Sequence, residues 1–118
     1  MDFFHSSFLV MLFWLFVGHF ICDYPLQGDY LAQAKNRHTE IGKHVWRHAL
    51  IGHGFIHAGA VVLATGSLFL GMLELIAHCY IDSMKNDGHL TFAQDQYLHY
   101  ACKLAWAIVA YLAFFYFR

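Results

Sequence analysis

Long apolar runs separated by short polar connections constrain the fold of this chain more than any other feature. The first run, residues 3–22, has the length of about 20 residues that a helix needs to cross a hydrocarbon core of about 30 Å. Further apolar runs lie at about 45–65, 67–81 and 97–117. Only 13% of the 118 residues are charged, whereas a soluble domain usually has about 25%. The sequence therefore predicts an integral membrane protein.

The predicted fold class is all-α, with residues 1–118 forming a single transmembrane domain. The four predicted helices lie at about 3–24, 44–65, 67–84 and 94–117. They are expected to form an up-down bundle, with a short interfacial helix within residues 29–36 between the first two. The first run has no basic n-region and no A-x-A-like cleavage site, so we expect a retained helix rather than a cleaved signal peptide.

Basic residues are concentrated in the two longer connections. Those around the first connection are Lys35, Arg37, Lys43 and Arg47. Lys85 lies in the second connection, whereas Arg118 lies at the opposite side. Because cytoplasmic loops of membrane proteins carry an excess of Lys and Arg, both connections are expected on the cytoplasmic side. We therefore predict a multi-pass protein of the inner (cytoplasmic) membrane.

Charge and cysteine content exclude other classes of protein. The net charge is −1 and there is no basic stripe or zinc-finger spacing, so nucleic acid is not an expected partner. The three cysteines lie in or beside apolar runs, and an odd number in such places indicates free thiols rather than a disulfide framework. Membrane lipid is the expected partner, and the sequence is compatible with a homo-oligomer.

Three pairs of histidine and aspartate, each four residues apart, lie near the same end of three predicted helices. The pairs are His19 with Asp23, His78 with Asp82, and Asp95 with His99. Residues four apart share a helix face, with Cβ atoms about 5–6 Å from each other, so each pair can hold a metal ion. One such pair could equally be a simple hydrogen bond. Three pairs at one membrane depth, where ionisable groups are costly, favour a metal site.

The second predicted helix adds further histidines on the same side of the membrane. With His48 or His53, the inventory exceeds the three or four protein ligands that one zinc ion takes, so we predict two divalent ions. Zinc, manganese and iron all suit mixed histidine and carboxylate ligands. The predicted metal ligands are His19, Asp23, His48, His53, His78, Asp82, Asp95 and His99. Histidines expected to be solvated or interfacial are His5, His38, His44 and His89.

Two more polar residues are candidates for catalytic roles. Glu74 lies four residues before His78, which predicts either a proton acceptor supporting the site or a protonated carboxyl that hydrogen-bonds between helices. Lys85 lies three residues after Asp82. It could hold a phosphate, but a lysine that extends its ammonium group to the membrane interface is the favoured interpretation of this position.

These motifs, taken in order, resemble those of a known family. They are His19-x3-Asp23-x3-Gln27, the histidines His48, His53 and His57, His78-x3-Asp82-x2-Lys85, and Asp95-Gln96-x2-His99. Over nearly the whole chain they resemble the small bacterial and phage membrane proteins grouped as domain of unknown function 3307. The chain is also similar, more loosely, to inner-membrane metal-dependent hydrolases. The first resemblance implies no particular chemistry, whereas the second implies hydrolysis at a metal site.

The function expected from the sequence is that of an integral-membrane, metal-dependent hydrolase acting on a lipid-linked or other amphipathic phosphoester. A dinuclear site at headgroup depth would meet a lipid headgroup more readily than a soluble metabolite, and paired ions activate water for such attack. A second hypothesis is not enzymatic: a structural metal joins the helix ends of a partner-binding or regulatory module. An ion carrier ranks last, because few ionisable residues lie deep in the membrane.

Overall fold

The chain folds into five helices with no β-strand, within the residues that the computed structural model describes, 7–116 (side chains 7–114). The helices are α1 (Phe8–Asp23), α2 (Gly28–Ala34), α3 (Gly42–Thr65), α4 (Leu68–Asn86) and α5 (Phe92–Tyr116). The predicted all-α class is confirmed. The predicted start of the first helix, as well as His5 and Arg118, lies outside the described residues.

Two helices, α3 and α5, are each long and apolar enough to cross a membrane. A third candidate span exists if α1 and α2 are taken together, although their axes differ by 85°. Helix α4 has 19 residues but carries Glu74, Asp82 and Lys85 among them. The described residues therefore indicate a membrane protein with two or three candidate spans. The finer prediction of a four-helix transmembrane bundle is not confirmed.

The break between α1 and α2 follows from the chemistry of two residues. Pro25 has no amide hydrogen, so the carbonyl of Ile21 accepts instead from the amide of Leu26, at 3.1 Å. Gly28 then has φ of 65°, a left-handed conformation that glycine adopts without steric cost. The chain thus leaves the axis of α1 and carries α2 across the end of the other helices, where α2 packs on α3.

Helices α3 and α4 form a tight hairpin. Gly66 ends α3 in the left-handed conformation, with φ of 71°, and the hydroxyl of Ser67 caps α4 by accepting from the amide of Leu70 at 3.1 Å. A Cβ atom on Gly54 would lie 2.7 Å from Sγ of Cys79. The two helices therefore approach closely because glycine lies at their contact.

The interior has an apolar half and a polar half. Helices α1 and α4 each pack against α3 and α5. Buried apolar side chains fill the half of the molecule near the α3–α4 turn: Met11, Leu15, Val61, Ala64, Leu70 and Ala107. Large apolar side chains such as Leu63 and Ile76 are exposed on the outside, 73% and 66% respectively. Apolar groups outside and polar groups inside suit a chain whose solvent is lipid.

Candidate metal centre

Five histidines from four helices meet in the polar half of the interior, and each is at most 1% exposed. They are His19 on α1, His53 and His57 on α3, His78 on α4, and His99 on α5. The ring centroids of His57 and His78 are 3.7 Å apart, and those of His78 and His99 are 4.2 Å apart, in stacked arrangements. Neutral rings stack without repulsion, and neutral imidazole is the form that binds metal.

Helix phase decides which histidines of α3 join this cluster. His57 follows His53 by four residues, so both lie on the buried face. His48 precedes His53 by five residues, which rotates it by about 140° around the helix axis, and it is exposed. The structure therefore leaves the predicted ligand His48 outside the cluster and brings in His57, which the predicted ligand set did not include.

Asp23, at the end of α1, is the first carboxylate at the centre of the histidines. Its Oδ1 lies 2.8 Å from Nε2 of His57 and 3.3 Å from Nε2 of His53. Its Oδ2 lies 3.3 Å from Nε2 of His19 and accepts a hydrogen bond from the side-chain Nε2 of Gln96 at 3.1 Å. Asp23 therefore joins side chains from α1, α3 and α5.

Asp82, on α4, is the second central carboxylate. Its Oδ1 lies 3.1 Å from Nε2 of His99, and its Oδ2 lies 3.5 Å from Nε2 of His78 and 3.7 Å from Nε2 of His53. The ammonium group of Lys35 donates to the same Oδ2 at 2.6 Å. Asp82 thus contacts three histidines and one cation while it is 2% exposed.

Three groups of side chains have the composition of metal sites. Within each group, the ligand atoms all lie within 4.8 Å of one another. The first contains Asp23, His53, His57 and His78. The second contains Asp82, Asp95 and His99, and shares no residue with the first. A third group, Glu74, His78 and His99, overlaps both. The described residues thus offer separate ligand sets for two ions, and His19 lies beside the first set.

Several of the atoms that could bind a metal ion in these groups have no hydrogen-bond partner. Among the described side chains, Nε2 of His53, Nε2 of His78 and Oδ1 of Asp95 are buried with no hydrogen bond. Buried polar atoms in folded proteins nearly always have a partner, because burying one without a bond costs about 1–3 kcal/mol. Ligand atoms that lack hydrogen bonds but face each other are those that a metal ion would satisfy.

Glu74 lies behind the histidines, toward the apolar half, and all its interactions are directed away from solvent. Its Oε1 accepts from Lys103 Nζ at 2.7 Å and lies 3.3 Å from Nδ1 of His78, and its Oε2 accepts from the indole of Trp106 at 2.6 Å. Lys103 was not among the predicted site residues, although it follows His99 by four residues on α5. That spacing is the same signal that identified the three pairs.

A pocket of about 260 Å³ connects the centre to the surface, beneath α2. Its charged lining residues are the carboxylates Asp23, Asp29, Asp82 and Asp95 and the cations Lys35 and Lys85. Lys85 is half-buried there, with its ammonium 5.7 Å from the ring centroid of Phe92. Glu74 does not line this pocket. Of the two predicted catalytic residues, the structure therefore brings Lys85 but not Glu74 to the accessible side of the centre.

An exposed ion cluster holds the segment that carries Lys35 against the end of α4. Asp87 contacts Nη2 of Arg37 at 2.9 Å and Nε2 of His38 at 2.8 Å, and Asn86 donates to the carbonyl of Lys35 at 3.0 Å. The hydrogen bond from His38, together with the charge of Arg37, lowers the pKa of Asp87. His38, His44 and His89 are exposed, as expected for solvated histidines.

The comparison with protein families agrees with this arrangement of motifs. The family described as "Protein of unknown function (DUF3307)" matches residues 11–116. The chain belongs to this family. No curated protein and no solved structure matches the DUF3307 chain. The looser likeness to inner-membrane metal-dependent hydrolases therefore has no support from a relative.

A pair of variants on α3 tests the ligand assignment in this DUF3307 protein. We expect His57→Ala to lower the metal content of the purified protein, because it removes a ligand of the four-residue group. His48→Ala is the matched control, since it makes the same change on an exposed part of the same helix. Metal per chain, measured by mass spectrometry of the elements, should fall only for His57→Ala. Equal values for the two variants would contradict the assignment.

Proposed function

We propose that this DUF3307 protein is a metal-dependent hydrolase that cleaves a phosphoester of a membrane lipid. Two divalent ions, of zinc, manganese or iron, would bind among the buried histidines and aspartates. The observation that carries the proposal is the presence of two ligand groups without a shared residue, both next to a pocket with two lysines. A site of this kind combines ions that activate water with cations that bind phosphate.

The two ligand groups differ in a way that favours different roles for the ions. The group of Asp23, His53, His57 and His78 offers four ligands, the number found in closed zinc sites. The group of Asp82, Asp95 and His99 offers three, which leaves a coordination position for water or substrate. Two of those three residues, Asp82 and Asp95, are carboxylates that line the pocket, so this ligand group is the one beside the entry route.

The charges around the centre favour an anionic substrate. The charged groups at the centre are the carboxylates Asp23, Glu74, Asp82 and Asp95 and the buried lysines Lys35 and Lys103. With neutral imidazoles, these groups leave an excess of two negative charges. Two divalent ions would reverse that excess to two positive charges. Because buried charge without compensation is costly, a centre loaded in this way would favour binding of a phosphate group.

Each side chain then has a distinct role. Bound divalent ions would supply Lewis acidity and lower the pKa of a coordinated water. The ammonium groups of Lys35 and Lys85, which line the pocket, would bind the phosphate oxygens. Glu74 is proposed as a positioning residue rather than a proton acceptor, because its contact with Nδ1 of His78 would orient that ring.

We also propose the membrane arrangement that the sequence predicted. Helices α1, α3, α4 and α5 would form a four-helix transmembrane bundle in the inner membrane, with α2 at the cytoplasmic interface. Lys35, Arg37 and Lys85 lie at the end of the molecule where the pocket opens, which supports a cytoplasmic position for that end. The substrate headgroup would then reach the pocket from the cytoplasmic leaflet.

Hydrolysis of a soluble phosphodiester, bis(4-nitrophenyl) phosphate, by the purified protein tests the proposal. We expect activity with zinc, manganese or iron, loss of activity with a chelator, and recovery on adding the metal back.

A variant at Lys35 tests the role of the pocket lysines. Lys35→Met should raise KM at least about 10-fold, because it removes a charge that binds phosphate. Metal content should be kept, because the ammonium of Lys35 is paired with Asp82 and competes there with the metal. Lys43→Met, at an exposed lysine paired with Glu40, is the control. Metal-loaded protein that cleaves no phosphoester would contradict the proposal.

A second candidate function is a structural metal site in a partner-binding or regulatory module. The observation that favours it is the burial of His53, His57 and His78, since closed and fully ligated sites are typical of structural zinc. The same experiment separates the two functions. A protein that binds metal and unfolds on its removal, yet cleaves no phosphoester, would favour the structural role.

A further inference from the structure

An apolar groove of about 760 Å³ runs between α1 and α3 on the outside of the molecule. Its lining is almost entirely hydrocarbon and includes Trp14, Phe55 and Leu63. The two helices approach closely at Gly18 and Ala60, where a Cβ atom added to Gly18 would lie 3.1 Å from Cβ of Ala60. Phe55 and Leu63 are 55% and 73% exposed, so the groove is open along its side.

One end of this groove lies beside the polar pocket, on the other side of the turn after α1. Cys22 and Leu26 line the groove, whereas their chain neighbours Asp23 and Gln27 line the pocket. The turn after α1 thus separates the two: apolar side chains point to one side of it, and polar side chains that face the candidate metal centre point to the other. A molecule with a charged head and an apolar tail could occupy both at once.

We propose that the groove between α1 and α3 binds the apolar chain of a phosphate-bearing lipid whose headgroup lies in the polar pocket. This inference rests on the proposed function and specifies its substrate class as a lipid with a long chain. The lipid would enter sideways from the bilayer, headgroup at the turn after α1 and chain along the two helices.

The surroundings of the groove favour a lipid chain as its occupant. Helix α3 is a candidate span and α1 is part of another, so an open groove between them faces hydrocarbon in a membrane. Filling it with a chain gains dispersion contacts that an empty groove would lose. The lysines at the pocket end supply the charge complementary to a phosphate, which an apolar protein segment would not need.

Two glycines of α3 provide a matched test. Gly59 lines the groove, and a Cβ atom there would have nothing within 4 Å, so the side chain of Gly59→Leu would start from open space and extend into the groove. Gly52 is also on α3, also exposed and also without neighbours within 4 Å, but it does not line the groove. Gly52→Leu therefore makes the same change in helix propensity and lipid exposure without filling the groove.

Two esters with the same leaving group report on the chain, namely hexadecyl 4-nitrophenyl phosphate and ethyl 4-nitrophenyl phosphate. We expect Gly59→Leu to lower kcat/KM for the hexadecyl ester at least about 10-fold and to leave the ethyl ester unchanged, because each buried methylene contributes separately to binding. Gly52→Leu should behave like the unmodified protein with both esters. Hexadecyl phosphate retained per chain after gel filtration in detergent gives a readout independent of hydrolysis, and should fall only for Gly59→Leu.

The outcomes separate this inference from the proposed function. Equal kinetics and equal retention for the two variants would overturn the groove assignment even if both esters are cleaved. A change of oligomeric state in Gly59→Leu, with hexadecyl phosphate binding unchanged, would also overturn it and assign the groove to a second copy of the chain. Failure to cleave either ester, with retention lost only in Gly59→Leu, would contradict the hydrolase while supporting the lipid chain in the groove.

Discussion

Replacing Asp82 with asparagine is expected to lower the bound metal by about one ion or more per chain and to abolish phosphoester hydrolysis. Asp82 is the carboxylate that contacts both ligand groups, with Oδ1 at 3.1 Å from His99 and Oδ2 at 3.5 Å from His78. Asparagine keeps the size of the side chain but removes the charge that a divalent ion requires. Elemental mass spectrometry of the purified variant gives the metal per chain.

Asp87→Asn is the matched control for this prediction. Asp87 lies just after the same helix and has charged partners, Arg37 and His38, but these contacts are exposed and outside the ligand groups. The control should keep both its metal and its activity. If Asp82→Asn and Asp87→Asn contain as much metal as the unmodified protein, the assignment of the centre is wrong.

Loss of folding could imitate loss of metal in Asp82→Asn, because the change leaves the buried ammonium of Lys35 without its partner. Removing one partner of a buried ion pair costs about 3–5 kcal/mol. Combining Asp82→Asn with Lys35→Met removes the unpaired charge and should recover most of that stability. The combined variant should still contain as little metal as Asp82→Asn, which would separate ligand loss from unfolding.

The second large effect is expected at Glu74. Glu74→Leu should lower the free energy of unfolding by about 3–5 kcal/mol, because it leaves the ammonium of Lys103 buried and unpaired. The indole of Trp106 also loses its acceptor. Thermal unfolding followed by circular dichroism in detergent measures the change. Glu40→Leu, at an exposed glutamate paired with Lys43, is the control and should have little effect.

A double variant separates the two roles of Glu74. Replacing the pair by Glu74→Leu and Lys103→Met should recover stability, since apolar side chains of similar volume can substitute for a buried ion pair. Metal affinity should nevertheless stay about 10–100-fold below that of the unmodified protein, because His78 has lost the carboxylate that orients its ring. Metal affinity equal to that of the unmodified protein would contradict the positioning role.

The sequence predicted the parts of the centre that follow helical periodicity. Spacings of four residues identified His19 with Asp23, and His78 with Asp82, and the structure brings these side chains together in one cluster. The same rule would have found Lys103, four residues after His99, if lysine had been considered alongside histidine and aspartate. Periodicity works here because a buried helix face repeats with the helix turn.

Other features depend on information that periodicity does not carry. Spacing puts His53 and His57 on one face of α3 and His48 on another, but which of these faces is buried depends on the packing of α1 and α4 against α3. Lys35 follows a short helix after a sharp break, so no regular spacing relates it to Asp82. The 85° bend itself comes from local hydrogen bonding around Pro25. That bonding breaks the helix but does not determine which residues α2 then contacts.

The metal content of the unmodified protein, purified in detergent without added chelator, decides whether the buried histidines and aspartates form a metal centre. The two ligand groups without a shared residue predict about two divalent ions per chain. Elemental mass spectrometry together with amino-acid analysis gives that ratio. A protein that contains no metal, and that takes up none from solutions of zinc, manganese or iron, would contradict the metal centre. The buried histidines and aspartates would then be a hydrogen-bonded contact between helices.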